Sequence, residues 1–365
     1  MIDLQSYMAE SIRRIMGNAY RSVLGNPREA RFVMRMQRAV RRSERQRRTL
    51  MEAESLQVPP FLIASIATAC NLQCKGCYAR KNGIASEQPT KPSLTAEQWG
   101  SLFAEAAGLG VNFCLLAGGE PLTRRDILEQ AAAVKDIVFP VFTNGTMIGA
   151  TYTEFFRRHL NMVPVISLEG DAADTDTRRG EGIYRRVMAA MNTLHSEKLF
   201  FGTSITVTTE NYRRVTSEEY LRELHDKGCR LVFYVEYVPF DESTRHLAFG
   251  DAEVAAMEER VELMRTQFDD IVFLSFPGDE KALDGCMAAG RGFFHIGPDG
   301  SAEPCPFSPY SDTNVARDGL RAALQSPLFS RLREANNGSW QHTGGCTLYE
   351  HRDEVEQFLN NSKQA

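Results

Sequence analysis
At 365 residues the chain has room for one large α/β domain and a smaller one, and its 43% hydrophobic and 24% charged content is that of a soluble globular protein. No run of 18 or more apolar residues occurs, which excludes a transmembrane helix, and Asp3, Glu10, Arg13 and Arg14 interrupt the N-terminus, which predicts no secretory signal. The eight cysteines are therefore expected in a reducing cytoplasm, where clusters and metals outrank disulfides.

The net charge of −5 is unevenly placed. Residues 1–55 carry 12 Arg, no Lys and six acids, a net of +6, which leaves −11 for the remainder. Leu4, Met8, Ile12, Ile15, Met16, Val23 and Leu24 recur at helical spacing. Gly25-Asn26-Pro27 breaks that pattern, and a second, Arg-rich helix is predicted from Pro27 to about Glu54. The economical reading is a helical extension over 1–57 whose basic face is solvated and packs on the acidic body. Contact with nucleic acid or an anionic membrane is the minority reading, because the aromatic interleaving of a single-strand binder is missing.

Six βα units are predicted next. Their strands are Phe61–Ile66, Phe113–Leu116, Val138–Phe142, Val163–Leu168, Phe201–Thr208 and Leu231–Val238. The helices are Thr95–Ala107, Asp126–Lys135, Tyr152–His159, Ile183–His195, Ser217–Lys227 and Asp251–Phe268. Repeated βα units imply parallel strands with right-handed crossovers, and six suit a partial (β/α)6 TIM-like barrel better than a closed eightfold one. This α/β core is expected to span 58–268. Ligands gather at the C-terminal ends of such strands, where Cys70–Cys77, Gly118-Gly119-Glu120-Pro121, Thr143-Asn144-Gly145 and Ser167-Leu168-Glu169-Gly170 fall.

Cys70, Cys74 and Cys77 place three thiols at spacings of four and three in one loop. Such a loop can hold three irons of a cuboidal iron–sulfur cluster, and the missing fourth Cys leaves one iron open, the mark of a catalytic metal. A zinc site would need a fourth nearby ligand, and no His or further Cys lies between Cys77 and Cys114. Cys114 and Cys229 read as small core residues, and His195 as a helix-end residue.

The order of these motifs resembles the radical S-adenosylmethionine (SAM) superfamily over about residues 60–240. The Cys spacing and the aromatic Tyr78 after it match the family, as does Gly118-Gly119-Glu120-Pro121. The resemblance implies a [4Fe-4S] cluster whose open iron is chelated by SAM, an electron supplied by a reductant such as flavodoxin or ferredoxin, and cleavage to a 5′-deoxyadenosyl radical that abstracts a substrate hydrogen. It implies that the two glycines let the backbone approach the methionine end of SAM, that Glu120 pairs with its ammonium, and that Ser167 and Arg179 lie near its ribose and carboxylate, with Arg178 able to replace Arg179. Glu169 stands where the family has Asp.

Downstream, Cys286-Met-Ala-Ala-Gly290-Arg291, Ile296-Gly-Pro-Asp-Gly300, Pro304-Cys305-Pro306 and Gly344-Gly345-Cys346 resemble the auxiliary-cluster extension called SPASM, in its shortened Twitch form. The resemblance implies a hairpin at Asp299-Gly300, a small cluster-binding domain over 269–365, and one auxiliary cluster on Cys286, Cys305 and Cys346. Glu350, His342, His351, His295, water or substrate could supply the fourth ligand, and three buried apolar thiols remain the alternative. It also favours an oxidoreductase or maturase that modifies a peptide or protein side chain. A small-molecule substrate in cofactor or natural-product biosynthesis is the runner-up. A non-catalytic electron carrier is the competing class, against which the SAM-pocket residues argue. No quenching residue is identified; Tyr234 and Glu236 share one face of the sixth strand and Tyr237 takes the other.

Overall fold
The computed structural model describes residues 27–86, 91–240, 242–276, 285–336, 340 and 346–362. The first predicted helix, with Leu4 to Leu24, lies outside the described residues, as do His342, Gly344 and Gly345. Seven strands run parallel in chain order: β1 Phe61–Ala67, β2 Phe113–Gly118, β3 Phe139–Thr143, β4 Met162–Leu168, β5 Gly202–Val207, β6 Leu231–Glu236 and β7 Val272–Phe276. On the other edge β8 His295–Ile296 lies parallel to β1, and β9 Ser301–Glu303 and β10 Thr313–Asn314 follow antiparallel. The sheet curls into a partial barrel: Phe276 at the end of β7 meets Phe293 just before β8, with ring centroids 5.2 Å apart.

The predicted helices form where their signals stand. Thr95 caps Ala96–Leu109 with a full capping box, its hydroxyl accepting from the Gln98 N–H while Gln98 returns a bond to the Thr95 N–H. Gly110 closes that helix in the left-handed conformation, at φ +97°. The structure adds elements to the sequence reading. A seventh parallel strand, β7, follows the helix Asp251–Gln267. A short helix, Ala172–Arg179, stands between β4 and Ile183–Ser196.

The Arg-rich helix spans Pro27–Glu54. Val33, Met36, Ala39 and Val40 form its buried stripe and pack on Phe113 and Val138, with Phe61 and Val163 alongside. It therefore caps the N-terminal ends of β1–β4. Arg35 and Arg42 pair with Asp136, and buried Arg47 donates to the Gly110 carbonyl and to Asn112 Oδ1 (3.1 Å). No helix among the described residues is long and apolar enough to cross a membrane.

Candidate functional site
The loop after β1 holds Cys70, Cys74 and Cys77, all half-exposed free thiols. It is tied down on three sides. Asn71 bonds Thr146 Oγ1 and Asn144 beyond β3, both at 2.8 Å. Lys75 N–H donates to the Arg178 carbonyl (2.8 Å), and Arg178 Nε returns a bond to the Lys75 carbonyl (3.2 Å). Gly76, at φ +64°, sits under the Tyr237 ring, which lies 3.3 Å from where a Cβ would be. A side chain there meets both strain and collision.

Gly118 and Gly119 allow close backbone approach to β1 and to the loop that follows it. A Cβ on either would collide with the carbonyl oxygens of Ala67 and Ala69. Those carbonyls accept from the Gly119 N–H (2.6 Å) and the Glu120 N–H (2.8 Å). The Glu120 carboxylate turns inward. Oε1 accepts from the Leu122 N–H (2.9 Å) and Thr143 Oγ1 (2.8 Å), and Oε2 from the Asn144 N–H (2.8 Å). Burial raises its pKa, and these donors pull it back. Pro121 begins a 3-10 turn directly after it.

Arg178 and Arg179, in the helix Ala172–Arg179, both grip Glu169: Arg178 Nη1 to Oε2 at 2.8 Å, Arg179 Nη2 to Oε1. Arg179 Nε is buried with no hydrogen-bond partner, and the guanidinium lies within electrostatic reach of Cys74 and Cys77. A buried, unsatisfied cationic N–H beside thiols fits an anionic ligand there. Burial pushes the Cys70 and Cys74 thiols up, with Arg179 the strongest opposing influence on Cys74. Ser167 Oγ lies 3.2 Å from Ser204 Oγ across β4 and β5. Among the described residues no set of three His, Cys, Asp or Glu converges on a single metal ion. Thiolates that each take a different iron of a cluster need not converge on one point.

Cys286, Cys305 and Cys346 are all buried, in one continuous apolar core. The predicted hairpin at Asp299-Gly300 joins β8 and β9, with Gly300 at φ +85°. Its following loop touches the helix after Cys77. Asn82 Nδ2 donates to the Pro306 carbonyl (2.7 Å), and Tyr78 packs edge-on against Phe307. Burial raises the Tyr78 phenol, and Cys77 and Cys305 both add to the rise, so Tyr78 links the two cysteine sets.

Three of the candidate fourth ligands, all among the described residues, have other partners. His295 bonds Ser65 and Glu303, His351 stacks on Trp340 and bonds Glu354, and Glu350 pairs with Arg245 at 3.5 Å. Tyr234 faces the helices, donating to the Val215 carbonyl at 2.8 Å, whereas Tyr237 covers the cysteine loop. Cys114 and Cys229 are buried in the core, as expected. Sequence reasoning missed the Asn71–Asn144 tie, the shared grip on Glu169 and the Ser65–His295–Glu303 row. Only Glu169 left a local signal, as an acid in the family's Asp position.

Residues 64–221 match the family described as the radical SAM superfamily. The chain carries a radical SAM superfamily domain over those residues. It is an enzyme whose family uses a [4Fe-4S] cluster with SAM. The sequence is 27% identical to the AdoMet-dependent heme synthase of Methanosarcina barkeri over 321 residues, covering 80% of this chain and 89% of that protein. It is 27% identical to the PqqA peptide cyclase of Rhizobium meliloti over 266 residues, 68% of each chain. The fold matches Streptococcus suis SuiB, solved bound to S-adenosylmethionine, with a TM-score of 0.65 at 17% identity, covering 79% of this chain and 71% of that one.

Proposed function
We propose that this radical SAM enzyme modifies a peptide or protein side chain, in the manner of an oxidoreductase or maturase. Cys70, Cys74 and Cys77 would hold the [4Fe-4S] cluster, and Gly118, Gly119, Glu120, Pro121, Ser167, Arg179 and Tyr78 would line the SAM pocket. The observation that carries this reading is the meeting of three half-exposed thiols, the Gly118–Pro121 bend and the unsatisfied Arg179 Nε at one end of the barrel. When bound, the cluster supplies the electron that cleaves SAM to methionine and a 5′-deoxyadenosyl radical.

The residues prepare that event. Arg179, held by Glu169, presents Nε to the SAM carboxylate. Glu120 Oε2, which takes a single N–H, keeps a lone pair for the ammonium. Ser167 stands with Ser204 on the strand ends beside them. Tyr237 packs over Gly76, and Tyr78 packs on Phe307, so each braces one side of the loop. Cys286, Cys305 and Cys346, in a SPASM/Twitch-like unit over residues 269–365, are proposed to hold an auxiliary cluster. A flavodoxin or ferredoxin is the proposed electron source.

The peptide reading is supported by the PqqA peptide cyclase relationship and by the likeness to SuiB, whose complex with its precursor peptide SuiA is also matched, with a TM-score of 0.62. A small-molecule substrate is the second reading, favoured by the long alignment with the AdoMet-dependent heme synthase. Anaerobically reconstituted protein, given dithionite and SAM, should release 5′-deoxyadenosine. No release above a C70A/C74A/C77A control refutes the enzymatic reading. A mass change in a candidate peptide, rather than in a tetrapyrrole offered to the same sample, separates the two substrate classes.

A further inference from the structure
Two helix faces of this chain carry opposite charge, and neither is matched within the molecule. The Arg-rich helix Pro27–Glu54 buries Val33, Met36, Ala39 and Val40. On its opposite side Met34, Arg38, Arg41 and Arg45 stand exposed at spacings of four, three and four, in one row along the helix. Arg35 and Arg42, a step round the helix, pair with Asp136. Arg38 and Arg41 have no acidic partner among the described residues.

The helix Asp251–Gln267 buries Val254, Met257, Val261 and Met264. Its outward side carries Glu258, Glu259, Glu262 and Leu263, all exposed. Glu262 pairs with Arg265 of the same helix at 3.2 Å, while Glu258 and Glu259 have no cationic partner among the described residues. Met34 and Leu263, at 45% and 52% exposure, are two of only four large apolar side chains left exposed among the described residues. Each face therefore joins unopposed charge of one sign to one exposed apolar side chain, and the signs are opposite.

We propose that the Arg face of one molecule docks on the Glu face of a second copy of this chain. With the two helices antiparallel, Met34 meets Leu263, Arg38 faces Glu259 and Arg41 reaches Glu258. Each guanidinium can offer two N–H donors to its carboxylate, and the arginine stems extend the apolar contact that Met34 and Leu263 begin. A second copy answers both faces at once, whereas an RNA or an anionic bilayer answers the Arg face alone. The Arg row also lacks an aromatic side chain to stack a base. Each molecule presents both faces, so the contact is heterologous, and molecules join head to tail in a closed ring or a chain. Two helix faces bury less than about 1,200 Å², and exposed ion pairs are screened by salt, so the association is weak and salt-sensitive.

Sedimentation velocity of the full-length protein over a concentration series tests this. At about 0.05 M salt the average mass should rise above the 41.0 kDa of one chain as concentration rises, and at about 1 M salt it should return to that value. R38E/R41E and E258R/E259R, all at exposed positions, should fold as the wild type does by circular dichroism, and each should weaken association by about tenfold or more. Mixed in equal amounts, the two variants should associate again, because one keeps the Glu face and the other keeps the Arg face. L263S should weaken association while leaving its salt dependence in place. A wild type that stays at 41.0 kDa at low salt overturns the proposal, as does association that survives R38E/R41E, or a mixture of the two folded variants that stays monomeric. Binding of bulk RNA or of phosphatidylglycerol vesicles that R38E/R41E abolishes, in a wild type that stays monomeric, gives the Arg face to that partner and also overturns it.

Discussion

The two ends of the barrel each bury an arginine, and the two are held in opposite ways. At the N-terminal end, Arg47 meets the Gly110 carbonyl and the Asn112 amide, and burial lowers its pKa to about 10. At the C-terminal end, burial also works to lower the Arg179 pKa, but Glu169, Cys74 and Cys77 together outweigh it and raise the pKa. The first is a cation held by dipoles, on the helix that seals the strands. The second is a cation held by a carboxylate, with one N–H left unsatisfied, beside three half-exposed thiols. One end closes the sheet, and the other keeps charge ready for a ligand, a division of labour familiar from barrel enzymes.

That contrast can be broken at either end. Replacing Cys70, Cys74 and Cys77 together by Ala should abolish 5′-deoxyadenosine release, a fall of more than about 10³-fold for a cofactor-dependent step. It should also remove the iron they hold, leaving about four irons per chain if the Cys286 set binds a cluster and none if it does not, as read by iron analysis. E169Q should leave Arg178 and Arg179 without a counter-charge, cost about 3–5 kcal/mol in a denaturation curve, and weaken SAM binding by calorimetry. R47A should cost about 2–3 kcal/mol by stranding the groups it bonds, while SAM cleavage per folded molecule stays at the wild-type level. An R47A variant that folds fully but no longer cleaves SAM would dissolve the contrast. D136N, which removes the exposed partner of Arg35 and Arg42, should shift stability by no more than about 0.5 kcal/mol.

The strands were legible because each of the six predicted runs is apolar and bounded by turn residues, and each appears within two residues of its expected start. The helix Pro27–Glu54 was legible at both bounds, its start from the Gly25-Asn26-Pro27 break, whereas its buried stripe of Val33, Met36, Ala39 and Val40 was not singled out. The helix Ala172–Arg179 was not, because Ala-Ala-Asp-Thr-Asp-Thr-Arg-Arg has no apolar period. Asp171 caps its start, and Arg178 ties its end to the cysteine loop. At the site, the three thiols announced themselves by spacing. Glu120 did not reveal its inward turn, since the donors that hold it come from β3 and from the residue two positions on. Glu169 read as a mild departure and proved to be the shared partner of two arginines. Ser65 and His295 stand 230 residues apart and meet only because β8 joins β1, which no local pattern encodes.

The β1–β8 pairing also has a consequence in time. β1 is made early and finds its outer neighbour only when His295–Ile296 has been synthesised. At about 5–20 residues per second, that edge waits on the order of 10–50 s on the ribosome with its N–H and C=O groups open to other strands. During synthesis, a chaperone or some temporary cover is needed on this edge more than on any part of the barrel whose neighbours are adjacent in the chain.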